Sequence, residues 1–445
     1  MVALLRAYLY WSVLWGFMAH PALGLKSLVP PILIGIDLLV MGVCTVYIAA
    51  NSFIRDESPL DLQIRSASFA CGFLLAYGLA VTAVMGSSAI EAAIYLAVLI
   101  RPMLILIALA IHLRAPPVRD ATALLGKLRG DLLLLVGAQL TIATLQKISP
   151  ELGGEFIASL GETQSAVYAL AEGDVSGTFA NSIDLSYFLL AAYIVLTQQH
   201  WRQRLTPPPL LTGVFAFYSN ATGSLAAEIC LWVYIGYLWL RSLSEANRKL
   251  AVLFGALLSV GGIYINLSTI GPAFVDKVDD MMLSRLGLIY VSIPGLYATM
   301  PGRLLSGSGA DFNAILTLLN NLPDVPLVFT YEEATSVIND VFWVALLLSL
   351  GAPAAFIFIY RMAQLFKAYV ARSLGTEPTR SLIWTIWLVI FLAGMMNQIL
   401  LVRPFTLTLT LGLLPLAMAD LSCEPPPSTD SQSRQHLNSV GHGIS

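Results

Sequence analysis

Apolar residues run through this chain in long blocks separated by short polar connections, and only one stretch, residues 271–340, breaks the rhythm for long. About 20 consecutive apolar residues cross a bilayer as one helix. The blocks near 4–19, 29–50, 66–85, 89–111, 131–146, 178–197, 209–222, 224–240, 250–270, 341–360, 382–400 and 404–420 therefore predict about 12 transmembrane helices. The seventh is the shortest, and with the eighth it reads as a hairpin bent at Ser219-Asn220-Ala221-Thr222-Gly223-Ser224. Between helices 9 and 10 the pattern predicts a large polar loop. An apolar run inside it, 281–300, reads as an interfacial or re-entrant helix rather than a span.

Composition agrees with the pattern. The chain is 57% hydrophobic and 11% charged, against about 45–50% apolar and about 25% charged in soluble domains. The expected class is an all-α polytopic membrane protein.

The placement of lysine and arginine tests the count, because cationic loops stay on the cytoplasmic side. With the N-terminus inside, seventeen of the 24 lysines and arginines fall inside and six outside, namely Lys26, Lys147, Lys277, Arg285, Arg303 and Arg403. Arg101 alone falls in mid-membrane. A span at 281–300 would expel Arg361, Lys367, Arg372 and Arg380, which is why it is not read as one. Both termini are then cytoplasmic, and the loops 147–177 and 271–340 face outward. The first block reads as a transmembrane helix rather than a cleavable signal, since the small residues at 19–22 make a weak cleavage site. Residues 1–421 form the helical domain, and 422–445, rich in Pro and Ser, predict a disordered cytoplasmic tail.

Several chemistries are excluded. Gly307-Ser308-Gly309 is a lone GxG without a following Lys, and neither HExxH nor GxSxG occurs. Of five histidines only His20 falls outside, so neither a histidine metal site nor an external Ser-His-Asp system is expected. The four cysteines form no CxxC and no outward pair. No cofactor, no metal and no nucleic-acid partner is expected.

Charges at bilayer depth stand out. Arg101, Asp37, Asp184 and Glu228 lie inside apolar segments, where an ionised group costs a few kcal/mol or more and normally faces a partner or a wet cavity. Pairing of Arg101 with one of these acids and a place on a substrate path are both open. In the outer loops, mostly acidic, the arginines are the exceptions. A guanidinium matches phosphate oxygens two at a time and stays charged when desolvated, so Arg285 and Arg303 are candidate diphosphate ligands. Pairing with a neighbouring Asp is the structural alternative.

Three stretches resemble the bacterial O-antigen polymerase and ligase superfamily. Gly177-Thr178-Phe179-Ala180-Asn181 is similar to its GTF-x-N entry into the sixth span. Ser284-Arg285, then Pro301 and Leu305-Ser306-Gly307-Ser308-Gly309-Ala310-Asp311-Phe312, resembles the Arg…P…GxGxxxF stretch of its large periplasmic loop. Asn339-Asp340-Val341-Phe342-Trp343, followed by Leu350-Gly351-Ala352-Pro353, resembles the polar pair that opens the tenth span, upstream of a Gly-x-Pro turn. Two positions depart from the family. Its ligases carry a His at the polar pair, where Ile338 or Asn339 stands here. Many members have Ser-Arg between spans seven and eight, where this chain has Ser224-Leu225.

The resemblance implies a GT-C-like enzyme of the bacterial inner membrane. It would polymerise undecaprenyl-diphosphate-linked oligosaccharide repeats into O-antigen, capsule or exopolysaccharide at the periplasmic face. It also implies a flippase and a chain-length regulator as partners. As the bond to the diphosphate breaks, charge grows on a leaving group that needs no proton, so fixed cations stabilise the transition state. Arg285 and Arg303 take that role. Asp340 is the first choice of base, with Asp311, Glu332 and Glu333 open. Asn339, Ser308, Gly309 and Asn181 are substrate-binding candidates, and Arg403 or Arg303 substitutes for the missing Ser-Arg cation. Ligation to a lipid or protein acceptor is the alternative within the family. Transport of the lipid-linked sugar is the alternative outside it, although no repeat of two halves is visible.

Overall fold

The structure, a computed structural model, describes residues 1–19, 29–52, 59–84, 89–113, 118–154, 156, 173–179, 181–252, 301–309, 342–372, 377–394 and 402–419. Arg285, Asn339 and Asp340, the apolar run 281–300, most of the loops 147–177 and 271–340, the ninth span beyond residue 252 and the tail 422–445 lie outside them.

The described residues are nearly all helical and contain no strand. The principal helices are α1 (Val2–Leu14, prolonged by a 3₁₀ turn Trp15–Ala19), α2 (Val29–Ser52), α3 (Pro59–Val84), α4 (Ala89–Leu113), α5 (Val118–Ile148) and the short α6 (Pro150–Gly154). They continue with α7 (Ser182–Gln203), α8 (Pro209–Ala221), α9 (Leu225–Ser242), the one-turn α10 (Pro301–Ser306), α11 (Phe342–Arg372), α12 (Glu377–Gly394) and α13 (Arg403–Ala419). Among the described residues five helices are long and apolar enough to cross a membrane: Ile34–Asn51, Leu62–Val84, Leu96–Leu113, Ala123–Ile148 and Leu346–Leu365. Shorter apolar helices cover Val2–Met18 and Trp384–Gly394.

Several helices differ from the sequence expectation in extent: α3 begins at Pro59 rather than near 66, and α11 runs to Arg372 rather than to about 360. Helix α5 begins at Val118, thirteen residues before the predicted span. Nothing between 118 and 131 breaks a helix outright, since Gly126 and Gly130 only weaken one. Helix α7 begins at Ser182, because Gly177 at φ +61° holds the preceding segment in a left-handed turn. The 209–240 hairpin bends as expected, at Thr222-Gly223-Ser224, with Gly223 at φ +67°.

Helices α4 and α7 form the centre. Along α4 the residues from Leu99 to Ile111 are almost continuously buried, and α7 is buried on all sides from Leu185 to Val195. Such all-round burial marks a helix surrounded by other helices. Helix α13 packs alongside α7 in parallel. Tyr187 meets Phe405 edge to face at 5.9 Å, and Gly412 gives the space that Val195 fills. Helix α1 runs parallel to α5, joined at one level by Arg6 and Tyr10 to Asp131 and at another by Val13 to Gln139.

Helix α11 is broken at Gly351, which stands at φ 76° and ψ 164° inside otherwise helical chain. The last carbonyls of a helix have no partner within it. Here the amides of Ser308 and Gly309 reach the carbonyls of Leu348 and Ser349 at 2.8 and 3.1 Å. A turn from the polar loop therefore caps the first half of α11. Pro353 then begins the second half, where a missing N–H is tolerated.

Candidate functional site

Ionisable groups from four helices converge inside the bundle. Asp37 of α2 is 4% exposed. Its Oδ2 accepts from Arg101 Nη1 of α4 at 3.1 Å and from Arg403 Nε of α13 at 2.8 Å, and its Oδ1 accepts from the Tyr8 hydroxyl of α1. The apolar surroundings make this arrangement obligatory, since an unpaired charge there is far costlier than a paired one. Two cations share one sealed carboxylate. The Arg101 side chain is 3% exposed and that of Arg403 24%, so Arg403 is the member of the cluster that reaches the surface.

A second carboxylate borders the cluster. Asp184, in the first turn of α7, lies within electrostatic range of Arg403 and Arg101. Its amide donates to Asn181 Oδ1 at 2.8 Å, so Asn181 is the N-cap of α7. The N-termini of α7 and α13 thus stand side by side, and both present the positive end of a helix dipole. One end of this arrangement is open: Asn181 is exposed and Asp184 partly so, whereas Leu185 onward is buried.

The segment before Asn181 is held by two glutamines of α5. Gln139 Oε1 accepts from the Thr178 amide at 2.9 Å, and its Nε2 donates to Thr178 Oγ1 and to Val13 O, each at 2.7 Å. Gln146 Oε1 accepts from the amides of Ser176 and Gly177, while its Nε2 donates to Gly177 O at 2.7 Å. Gly16 lies against Thr178 so closely that a Cβ there would collide with its carbonyl. These glutamines escaped the sequence reading. The signal was present, since two amides seven residues apart lie on one face of an apolar helix.

The other sequence candidates form a second junction, between α3, α10 and α11. Ser308 and Gly309 are buried, and their amides already bond to α11. Tyr77 donates to Ser306 O at 2.9 Å, and Gly309 packs on Thr82. Arg303, partly exposed, precedes this turn and accepts the Gly307 amide on its carbonyl at 2.8 Å. The structure therefore brings Asn181 and Arg403 into one junction and Arg303, Ser308 and Gly309 into another. Trp343, from the stretch that opens α11, packs on α12, its Nε1 donating to Phe391 O at 3.4 Å. Glu228 stands apart at the α8–α9 bend, accepting from Trp232 Nε1 at 3.3 Å and from Asn220. Among the described residues no group of three or more His, Cys, Asp or Glu is placed to hold a metal ion.

The class that fold and site define is a helical protein with several helices apolar enough to span a membrane, built around a buried ionic cluster. No family model matches the chain, and no curated protein matches it.

Proposed function

We propose that the protein is a membrane glycosyltransferase that polymerises undecaprenyl-diphosphate-linked oligosaccharide repeats at the outer face of the bacterial inner membrane. The single observation that best supports the reading is the convergence of Arg101 and Arg403 on Asp37 beside the paired N-termini of α7 and α13. A diphosphate leaving group needs fixed positive charge and dipoles aimed at it before the bond breaks. Arg403, partly exposed, is the member able to meet a headgroup, and Arg101 behind it holds the field. The N-termini of both helices add partial positive charge without adding a proton.

Helix α2 also presents an apolar exposed face, on which Leu39, Gly42, Val43 and Val46 line an open groove with Tyr47 and Ala50 on the side away from the buried Asp37. Arg285 and Asp340 would complete the site from the polar loop, with the topology of about 12 helices and cytoplasmic termini that lysine and arginine placement favours.

The test is reconstitution. Purified wild type, Arg403→Ala and Arg285→Ala are each given the lipid-diphosphate-linked repeat unit, and products are resolved by size. A ladder from wild type that is lost in both folded variants is the expected result. No product from folded wild type with verified substrate removes the polymerase reading and leaves ligation or transport.

A further inference from the structure

Two carboxylates border the arginines, and their surroundings differ in a way that separates their roles. Asp37 is sealed, and all its partners come from neighbouring helices, so it serves to hold Arg101 and Arg403 in place. Asp184 is the carboxylate at the open end. It sits one turn above the Tyr187–Phe405 contact that locks the starts of α7 and α13 together, at the last partly exposed position before α7 enters the core. The Asn181 cap fixes the turn on which it stands. Its own side chain accepts no hydrogen bond from another described residue, whereas Asp37 accepts three.

On this geometry we infer that Asp184 is the general base of the transfer, a role resting on the polymerase reading above. The acceptor hydroxyl oxygen forms the new bond to the anomeric carbon of the donor. The bond from that carbon to the diphosphate oxygen breaks, and its electron pair leaves with the diphosphate, which Arg403 and Arg101 stabilise. The hydroxyl proton passes to a carboxylate oxygen of Asp184. A base must lie within reach of the proton it takes and beside, not between, the cations that hold the leaving group. Asp184 meets the second condition, and Asp37, gripped by both arginines, does not. This assigns the proton to a residue of the α7 entry rather than to Asp340 of the polar loop.

The test compares full-length wild type, Asp184→Asn, Asp184→Ala and Asp340→Asn in the size-resolved assay, with binding of undecaprenyl diphosphate measured in parallel. Loss of a general base lowers turnover by about 10²–10⁴-fold. The expected result is a loss of that size in kcat for Asp184→Asn, with undecaprenyl diphosphate bound within about threefold of wild type. Asp184→Ala should regain part of its rate with added formate, which a purely structural role would not allow, and the acid limb of the wild-type rate profile should vanish in Asp184→Asn. A ladder at wild-type rate from Asp184→Asn, or formate-insensitive loss with loss of diphosphate binding, overturns the inference while leaving the polymerase reading intact. Absence of any ladder from folded wild type removes the reading and the inference together.

Discussion

Arg403 Nε donates to Asp37 Oδ2 at 2.8 Å across 366 residues of chain, joining the start of the last helix to the first half of the second. Arg101 reaches the same oxygen at 3.1 Å. Removing one member of a buried pair leaves an uncompensated charge and costs about 3–5 kcal/mol. Asp37→Ala, which leaves both guanidiniums facing each other, should therefore lower the melting temperature in detergent well below that of Arg403→Ala, whose partner keeps Arg101. The double variant Asp37→Ala/Arg101→Met should recover part of the loss, as a double-mutant cycle would record. Equal melting of wild type and Asp37→Ala would show that the cluster does not hold the helices together.

Gly307 and Gly351 cross so closely that neither tolerates a side chain. Both have positive φ, 74° and 76°. A Cβ on Gly307 would come within 2.7 Å of the Gly351 nitrogen, and one on Gly351 within 2.7 Å of the Gly307 nitrogen. Backbone strain alone costs about 1–3 kcal/mol at such positions. Gly307→Ala and Gly351→Ala should each lower stability by more than that, and proteolysis should cut the 301–309 segment faster in both. A surface control, Gly302→Ala, meets nothing within 4 Å and should behave as wild type.

Gln139 gives Thr178 two of its hydrogen bonds and also bonds Val13, so it ties α1, α5 and the entry to α7. A buried group left without a partner costs about 1–3 kcal/mol. Gln139→Leu, of similar size, strands the Thr178 amide, while the Val13 carbonyl keeps the Thr178 hydroxyl at 2.8 Å. It should lower stability by about that amount and increase hydrogen exchange at Thr178 in particular. Exchange unchanged at that amide would rule out the clamp.

Arg6 grips Asp131 with two bonds, Nε to Oδ2 at 2.6 Å and Nη2 to Oδ1 at 2.9 Å, while the Tyr10 hydroxyl adds a third at 2.8 Å. Hydrogen bonds to charged groups contribute about 1.5–3 kcal/mol. The Arg6 side chain is 28% exposed, so solvent screens the pair in part. Asp131→Asn should cost toward the lower end, and Tyr10→Phe less still, both read as shifts in thermal unfolding. Tyr10→Phe exceeding Asp131→Asn would assign the stabilisation to the tyrosine instead.

Much of the helical plan was legible, and particular residues show why. The Gly351-Ala352-Pro353 turn and the Thr222-Gly223-Ser224 bend carry their conformation in residue type, because glycine accepts positive φ and proline starts a helix. Asn181 announces the start of α7 by its capping chemistry, although the apolar count had placed that start earlier. Arg101 was recognisable as a charge in need of a partner. Asp37, Asp184 and Glu228 were equally plausible answers on sequence, and no local rule chooses among acids on three different helices.

The sequence by itself determined a helical chain of apolar segments and the glycine turns at 223 and 351, because these follow from side-chain polarity and backbone conformational preference within a few residues. Only the tertiary structure decided that Asp37 takes both Arg101 and Arg403, that Gln139 and Gln146 hold the α7 entry, and that Ser308 and Gly309 cap α11. The physical reason is that each of these contacts joins groups at least 30 residues apart. Such pairs are set by which helix faces pack together, and packing depends on the shape of the whole bundle rather than on any one segment.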